Sequence, residues 1–175
     1  DDGIKINGYF SEEETALTLA VAIKRPRKQW LGILAHEYSH FEQWKEQIDL
    51  WTNSTIEGED SEDIIFRWVK GEEFSQDLLK KCFIAAKEIE LDCERRAVKK
   101  IKKFDLPLDT EEYMKQASAY IHYYNYIQLR RGNYTPGKEP YYNKTITSAM
   151  PKTLRGKYMK LPKHLIPLYD ELLLK

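Results

Sequence analysis

Between Ser75 and Pro107 the chain carries a pattern that few folds can satisfy. Leu79, Phe83, Ala86, Cys93, Ala97 and Ile101 step by threes and fours, the spacing of one helical face, and the gap in that ladder is filled by Glu90. Ser75 suits the cap of this helix, which should run from about Gln76 to Lys103 before "FDLP" closes it. A carboxylate on a packing face has to be paired or to coordinate a metal. The fold must therefore bring a partner to Glu90. Glu94 lies one turn further on, whereas Glu88 and Asp92 lie about 160° from Glu90 and read as the solvated side.

A partner stands in "LAHEYSHFEQW", residues 34 to 44. A second 3.6-residue pattern runs from about Gln29 to Trp51, with Pro26 suited to its first turn. On it Ile33, Trp44, Trp30, Ile48, Phe41, Leu34 and Tyr38 form one apolar stripe, with Glu37 in its middle and His36 and His40 at its edge. Histidines four apart differ by about 40° around the axis, so both imidazoles can aim at one point. Two neutral imidazoles at about 2 Å from a shared ion are half of a zinc site. Glu37 is turned about 100° from His36, outside the ligand set but beside water at the ion, where it can act as a base. Ordinary surface histidines with a solvated Glu37 would not need that stripe. His122 and His164 could supply a third ligand, but Glu90, already pointed into the core, is the stronger candidate.

The remaining segments frame these two helices in one domain, residues 1–175. "IKINGYF" and "TALTLAVAIK" read as strands joined by the acidic turn "SEEE", giving a sheet within residues 1–25. Leu17, Leu19, Val21 and Ile23 alternate with small residues, as expected when one face packs on a core. A polar stretch, "TNSTIEGED", follows the first helix; Ser61 then looks like the cap of a short helix ending near Gly71. Asp109 with Glu112 forms a capping box for a helix to about Gly132, carrying Tyr113, Ala117, Tyr120, Tyr124 and Ile127 along one side. Five prolines after residue 133 predict an irregular wrapping tail with a short helix near "LYDELLLK". The fold class expected is α+β, mainly α: a small antiparallel sheet, then a helical bundle.

Composition narrows the function. The 28 basic and 28 acidic residues cancel, so no overall field gathers nucleic acid or anionic lipid, and any charged partner must be met by a local patch. No nucleic-acid partner is expected. No apolar run reaches the length of a membrane span, and Asp1-Asp2-Gly3 lacks the features of a signal peptide. Cys82 and Cys93 share one helix, where eleven residues rise about 16 Å, beyond disulfide reach. Free thiols suit a reducing, cytoplasmic setting. The three Asn-x-Ser/Thr triplets at Asn53, Asn133 and Asn143 are short enough to arise by chance.

Taken together, His36-Glu37-x-x-His40 and the later Glu90-x-x-x-Glu94 with Ala97 resemble the zincin metallopeptidases of gluzincin type, most closely the minimal phage-like and ImmA/IrrE-like members. The likeness covers roughly residues 15 to 100. It implies Zn2+ held by His36, His40 and Glu90, Glu94 as hydrogen-bond support to a ligating histidine, and metal-assisted hydrolysis of a peptide bond with Glu37 as general base on a zinc-bound water. The strand "TALTLAVAIK" is similar to the zincin edge strand that pairs with an extended peptide or protein substrate. Two departures stand out: 49 residues separate His40 from Glu90, and Glu94 stands where an aspartate is more familiar.

The oxyanion donor is left open among Tyr120, His122, Tyr123 and Tyr124, a run whose aromatic density also suits a core. Cys93 could ligate metal but better fills the stripe as a small apolar residue. "RRAVKKIKK", residues 95 to 103, is explained by the helix dipole, which favours cations at the carboxyl end. "SAMP" near Met150 is taken as a chance likeness to a methionine turn. Two further classes remain: a zinc-bearing regulatory or interaction module without hydrolysis, and a nucleic-acid-associated SprT-like protease, which would use a third histidine.

Overall fold

The longest element is the helix α4, Gln76–Lys103, begun by the Ser75 hydroxyl, which accepts the Leu78 N–H at 3.2 Å. Its predicted ladder, Glu90 included, is buried from Leu79 to Ile101. This is seen in a computed structural model that describes residues 7–13 and 16–172. Before α4 come strands β1, Gly8–Glu13, and β2, Ala16–Val21, then α1, Arg27–Glu46, and the short α2, Asp49–Thr52. A small hairpin, β3 Thr55–Ile56 and β4 Glu59–Asp60, leads into α3, Ser61–Val69. After α4 come α5, Thr110–Arg130, and a tail holding α6, Lys144–Ser148, and α7, Ile166–Asp170. The architecture is α+β and mainly α. No helix among the described residues is long and apolar enough to cross a membrane.

Five local expectations need correction. The acidic "SEEE" is not the turn: Ser11, Glu12 and Glu13 extend β1, pairing with Thr18, Leu17 and Ala16. Only residues 14 and 15 are left to make the link, and they lie outside the described residues, as do residues 4–6 of the expected first strand. The first helix does not reach Trp51. Gln47 turns left-handed at φ 49°, and its N–H closes on the Gln43 and Trp44 carbonyls. The cap of α3 is Asp60 rather than Ser61: its side chain accepts from the Glu62 and Asp63 N–H groups, while Ser61 is buried. Within "TNSTIEGED", Glu57 and Gly58 take φ of 56° and 86°, the two positive values of a tight hairpin turn, so a polar stretch becomes β3 and β4. The tail is more helical than expected; its last helix starts at Ile166, and residues 173–175 lie outside the description.

The core gathers Ile64 and Ile65 of α3, Phe83 and Ala86 of α4, Tyr126 and Ile127 of α5, Ile146 of α6 and Tyr169 of α7. The tail thus completes the core. The sheet covers α1 instead: Phe10 packs among Phe41, Trp44 and Trp51 at ring separations of 5.8–6.1 Å. Leu19 and Leu17 lie on the same sheet face as Phe10 but stay 37% and 48% exposed, so the expected packing face is only half covered.

Cys82 and Cys93 are free and fully buried on the same helix. Thiol titration should find two free groups in denatured, unreduced protein and none reacting rapidly in the native state; an intramolecular disulfide would contradict α4 itself.

Candidate metal centre

Helices α1 and α4 lie side by side along a polar seam. His36 and His40, one turn apart on α1, bring their Nε2 atoms within 3.1 Å of each other. Glu90 on α4 faces both, with Oε2 3.5 Å from His36 Nε2 and Oε1 3.3 Å from His40 Nε2. Ligands at about 2.0–2.1 Å from a tetrahedral zinc stand about 3.3 Å from one another. The three measured separations bracket that value. Moreover, Glu90 Oε2 is buried without a hydrogen-bond partner, an acceptor turned into the same gap. The donor set of two imidazoles and one carboxylate therefore fits zinc.

Electrostatics agree with a site built for positive charge. Burial works against charging His36, yet Cys93, Glu94 and Glu90 outweigh it and raise the imidazole well above its ordinary value. Burial opposes the charging of His40 too, but chiefly Glu90 raises it to about 9. Burial would lift the Glu90 carboxyl; His40 and His36 draw it below the usual range instead.

Both imidazoles are held from behind. With Nε2 turned toward an ion, each Nδ1 carries the hydrogen. His36 Nδ1 then donates to Glu94 Oε1 at 3.1 Å, the contact anticipated for Glu94. His40 Nδ1 donates to Gln43 Oε1 at 2.8 Å. Gln43 is fully buried, and its amide donates onward to the Ile89 carbonyl at 3.0 Å and Asp92 Oδ2 at 2.9 Å. Sequence reasoning missed Gln43, although its place three residues after His40 on one helix was a usable signal. Asp92 is also more than a solvated charge: Arg96, which reaches Glu46 on α1, donates to it at 2.7 Å. Glu88 is exposed, as expected.

Glu37 is 7% exposed beside these ligands, and burial raises its carboxyl although His36 and His40 oppose the rise. Gly8 of β1 makes room for it. A Cβ there would come within 2.5 Å of Ile33 Cγ2 and 3.0 Å of Glu37 Oε1. Cys93 Sγ joins the four-donor group, whose ligand atoms lie within 4.8 Å of one another. It sits, however, on the Nδ1 side of His36, 3.5 Å from that nitrogen and 3.3 Å from the His36 carbonyl, and burial keeps the thiol protonated. That position suits packing better than ligation.

The four aromatic candidates separate. Tyr120 meets the His36 ring at 6.0 Å, and its hydroxyl lies 3.0 Å from that of Tyr124. Tyr124 in turn donates to Glu62 of α3. Tyr123 donates to Asn133. His122 packs on Tyr158 at 4.9 Å and is depressed to about 4, by burial first and then by Lys87 and His164. Glu62, unforeseen from the sequence, is raised to about 8 by burial and then by the charge of Glu90. Comparison with family models, with curated proteins and with solved structures finds no match for this chain.

Zinc titration checks the ligand assignment: Glu90→Ala should lose metal as His36→Ala does, and Glu88→Ala should keep it. Gln43→Ala and Glu94→Ala should each weaken zinc by about 10- to 100-fold, the usual cost of losing a hydrogen-bond partner behind a ligand.

Proposed function

We propose that this protein is a zinc-dependent metallopeptidase of gluzincin type, a minimal phage-like or ImmA/IrrE-like zincin that hydrolyses peptide bonds. The observation that carries the reading is the convergence of His36, His40 and Glu90 at ion-ligand separations with a buried carboxylate, Glu37, beside them. Zinc, when bound, supplies a Lewis acid that polarises the scissile carbonyl and makes water more acidic. The protein's own residues do the rest. His36, His40 and Glu90 hold the ion, while Glu94 and Gln43 fix the ring orientations. Glu37 takes the proton of the attacking water on its carboxylate and passes it to the leaving amine; its raised pKa brings it nearer to neutrality, where proton transfer in both directions is easier. Tyr120, the aromatic residue against His36, is the best placed of the four candidates to meet the carbonyl oxygen.

A substrate strand can pair with the free edge of the hairpin. The sequence likeness gave that role to β2. Geometry favours β1, which approaches the base through Gly8 and is tied to the aromatic wall by the bond from Asn7 Nδ2 to the Tyr141 hydroxyl at 2.9 Å. The Asn7 carbonyl accepts from Ala22 N at 2.8 Å, so the backbone groups of the alternate residues Gly8 and Phe10 point outward, available for a third strand. The two free thiols support a reducing, cytoplasmic setting.

A second reading is a zinc-bearing regulatory module without hydrolysis; it requires Cys93, within 4.8 Å of the other three donors but on the Nδ1 side of His36, to turn toward the ion as a fourth protein ligand and close the site. Glu37→Gln separates the two. It should keep zinc and lose hydrolysis of an unfolded protein substrate by several orders of magnitude. Zinc binding without any turnover by the parent protein would select the module instead.

A further inference from the structure

The zero net charge hides two segments of opposite charge. Residues 57–63, "EGEDSED", gather acids on the β3–β4 hairpin and the start of α3. The chain between Glu139 and Asp170, in contrast, holds six Lys or Arg and no acidic residue. Lys152, Arg155, Lys157, Lys160 and Lys163 are exposed there, and among the described residues only Lys152 of these five has an ion-pair partner, Glu111. This tail does not hang free. Arg95 donates to the Leu154 and Gly156 carbonyls at 2.8 and 3.1 Å, Asn125 donates to the Tyr158 carbonyl at 2.8 Å, and the Tyr158 hydroxyl bonds Ser118 and the Thr153 carbonyl.

Arg95 therefore joins the tail to α4. Along α4 the exposed Arg95, Lys99 and Lys102 follow the i, i+4, i+7 spacing of one face, while Arg96 and Lys100 turn inward to Glu46 and Glu42 of α1. The helix dipole accounts for Lys102 and Lys103 in the last turn; its effect fades before Arg95 and cannot reach the tail. Of the apolar residues here, Leu154 and Tyr158 are turned in and buried, while Met159 and Phe104 stay 39% and 61% exposed on separate segments. Two single side chains fall short of the desolvated apolar centre that a protein partner would need. Phosphate groups need only fixed cations.

We propose that the face formed by Arg95, Lys99, Lys102, Arg155 and Lys157 binds the phosphate backbone of nucleic acid without reading its sequence. The test is fluorescence anisotropy of the whole protein with labelled duplex DNA of two unrelated sequences. Both should bind alike, and with four or so phosphate contacts the affinity should fall by about 100-fold between about 50 and about 200 mM salt. Arg155→Glu with Lys157→Glu, and separately Lys99→Glu with Lys102→Glu, should each weaken binding by about tenfold or more. Lys80→Glu, at the far end of α4, should leave it unchanged. No binding at the lower salt, equal binding by all the variants, or tighter binding to polyglutamate or to phosphatidylserine vesicles would each overturn the assignment. None of these readouts depends on peptide hydrolysis.

Discussion

Glu90 is a carboxylate that the long helix cannot avoid burying, and the packing of α1 against α4 is organised around that constraint. A charge in such a place costs several kcal/mol unless it is compensated, on the order of the penalty for moving an ion out of water. Two imidazole nitrogens and the gap between them supply the compensation. The seam then stays polar along its length. Gln43 bridges to Ile89 and Asp92, Arg96 ties Asp92 to Glu46, and Lys100 reaches Ser39 at 3.0 Å and Glu42. An apolar seam could slide by a helical turn at little cost. This one has a register, because Gln43, Arg96 and Lys100 each meet an acceptor on the facing helix that a shift by one turn would carry away.

What could be read from the sequence follows from how directly a period encodes a direction. On α4 the apolar residues mark the buried face, so Glu90 is legible before any tertiary contact; on α1 the buried face is Gly32, Ala35, Glu37, Ser39 and Gln43 while the expected stripe keeps Leu34 and Tyr38 exposed, and the histidines are legible from their four-residue spacing instead. Glu94 followed, being one turn from Glu90. Gln43 escaped notice because an uncharged polar side chain announces neither burial nor exposure. Glu62 could not have been found by periodicity at all, since only the path of the chain through α2, β3 and β4 carries α3 back to Tyr124. The misread boundaries have local causes. Gln47 and Glu57 adopt positive φ without being glycine, and Glu12 is exposed within β1, where solvent tolerates a charge that would otherwise suggest a turn.

The 49 residues between His40 and Glu90 are thus not idle length. They contain α3, whose Ile64 and Ile65 are among the most deeply buried residues and anchor it to α4. With that anchor set, Glu62 is fixed behind Tyr124, and Tyr124 behind Tyr120. The order of these hydroxyls matters. If Glu62 accepts from Tyr124, and Tyr124 accepts from Tyr120, the Tyr120 hydrogen points away from His36; if Glu62 carries the proton, the whole chain can reverse and Tyr120 becomes a donor toward the metal centre. Burial first, and then the charge of Glu90, raise the Glu62 carboxyl and favour the second arrangement.

Helix α4 finally explains how one short chain can hold two unlike surfaces. Arg95 is turned about 140° round the axis from Glu90, so the residues that converge on α1 and those that meet the tail belong to opposite sides of the same rod. The inward side is closed by α1 and the outward side by the strap around Tyr158, which packs against Leu91, Ala117 and Ile121. Because the strap bonds Ser118 and Asn125 on α5 as well as Arg95 on α4, it clamps the two helices together. Holding α4 against α5 keeps Tyr120 opposite His36. The cationic surface and the candidate metal centre are consequently joined through the packing of α4 against α5, even though no side chain is shared between them.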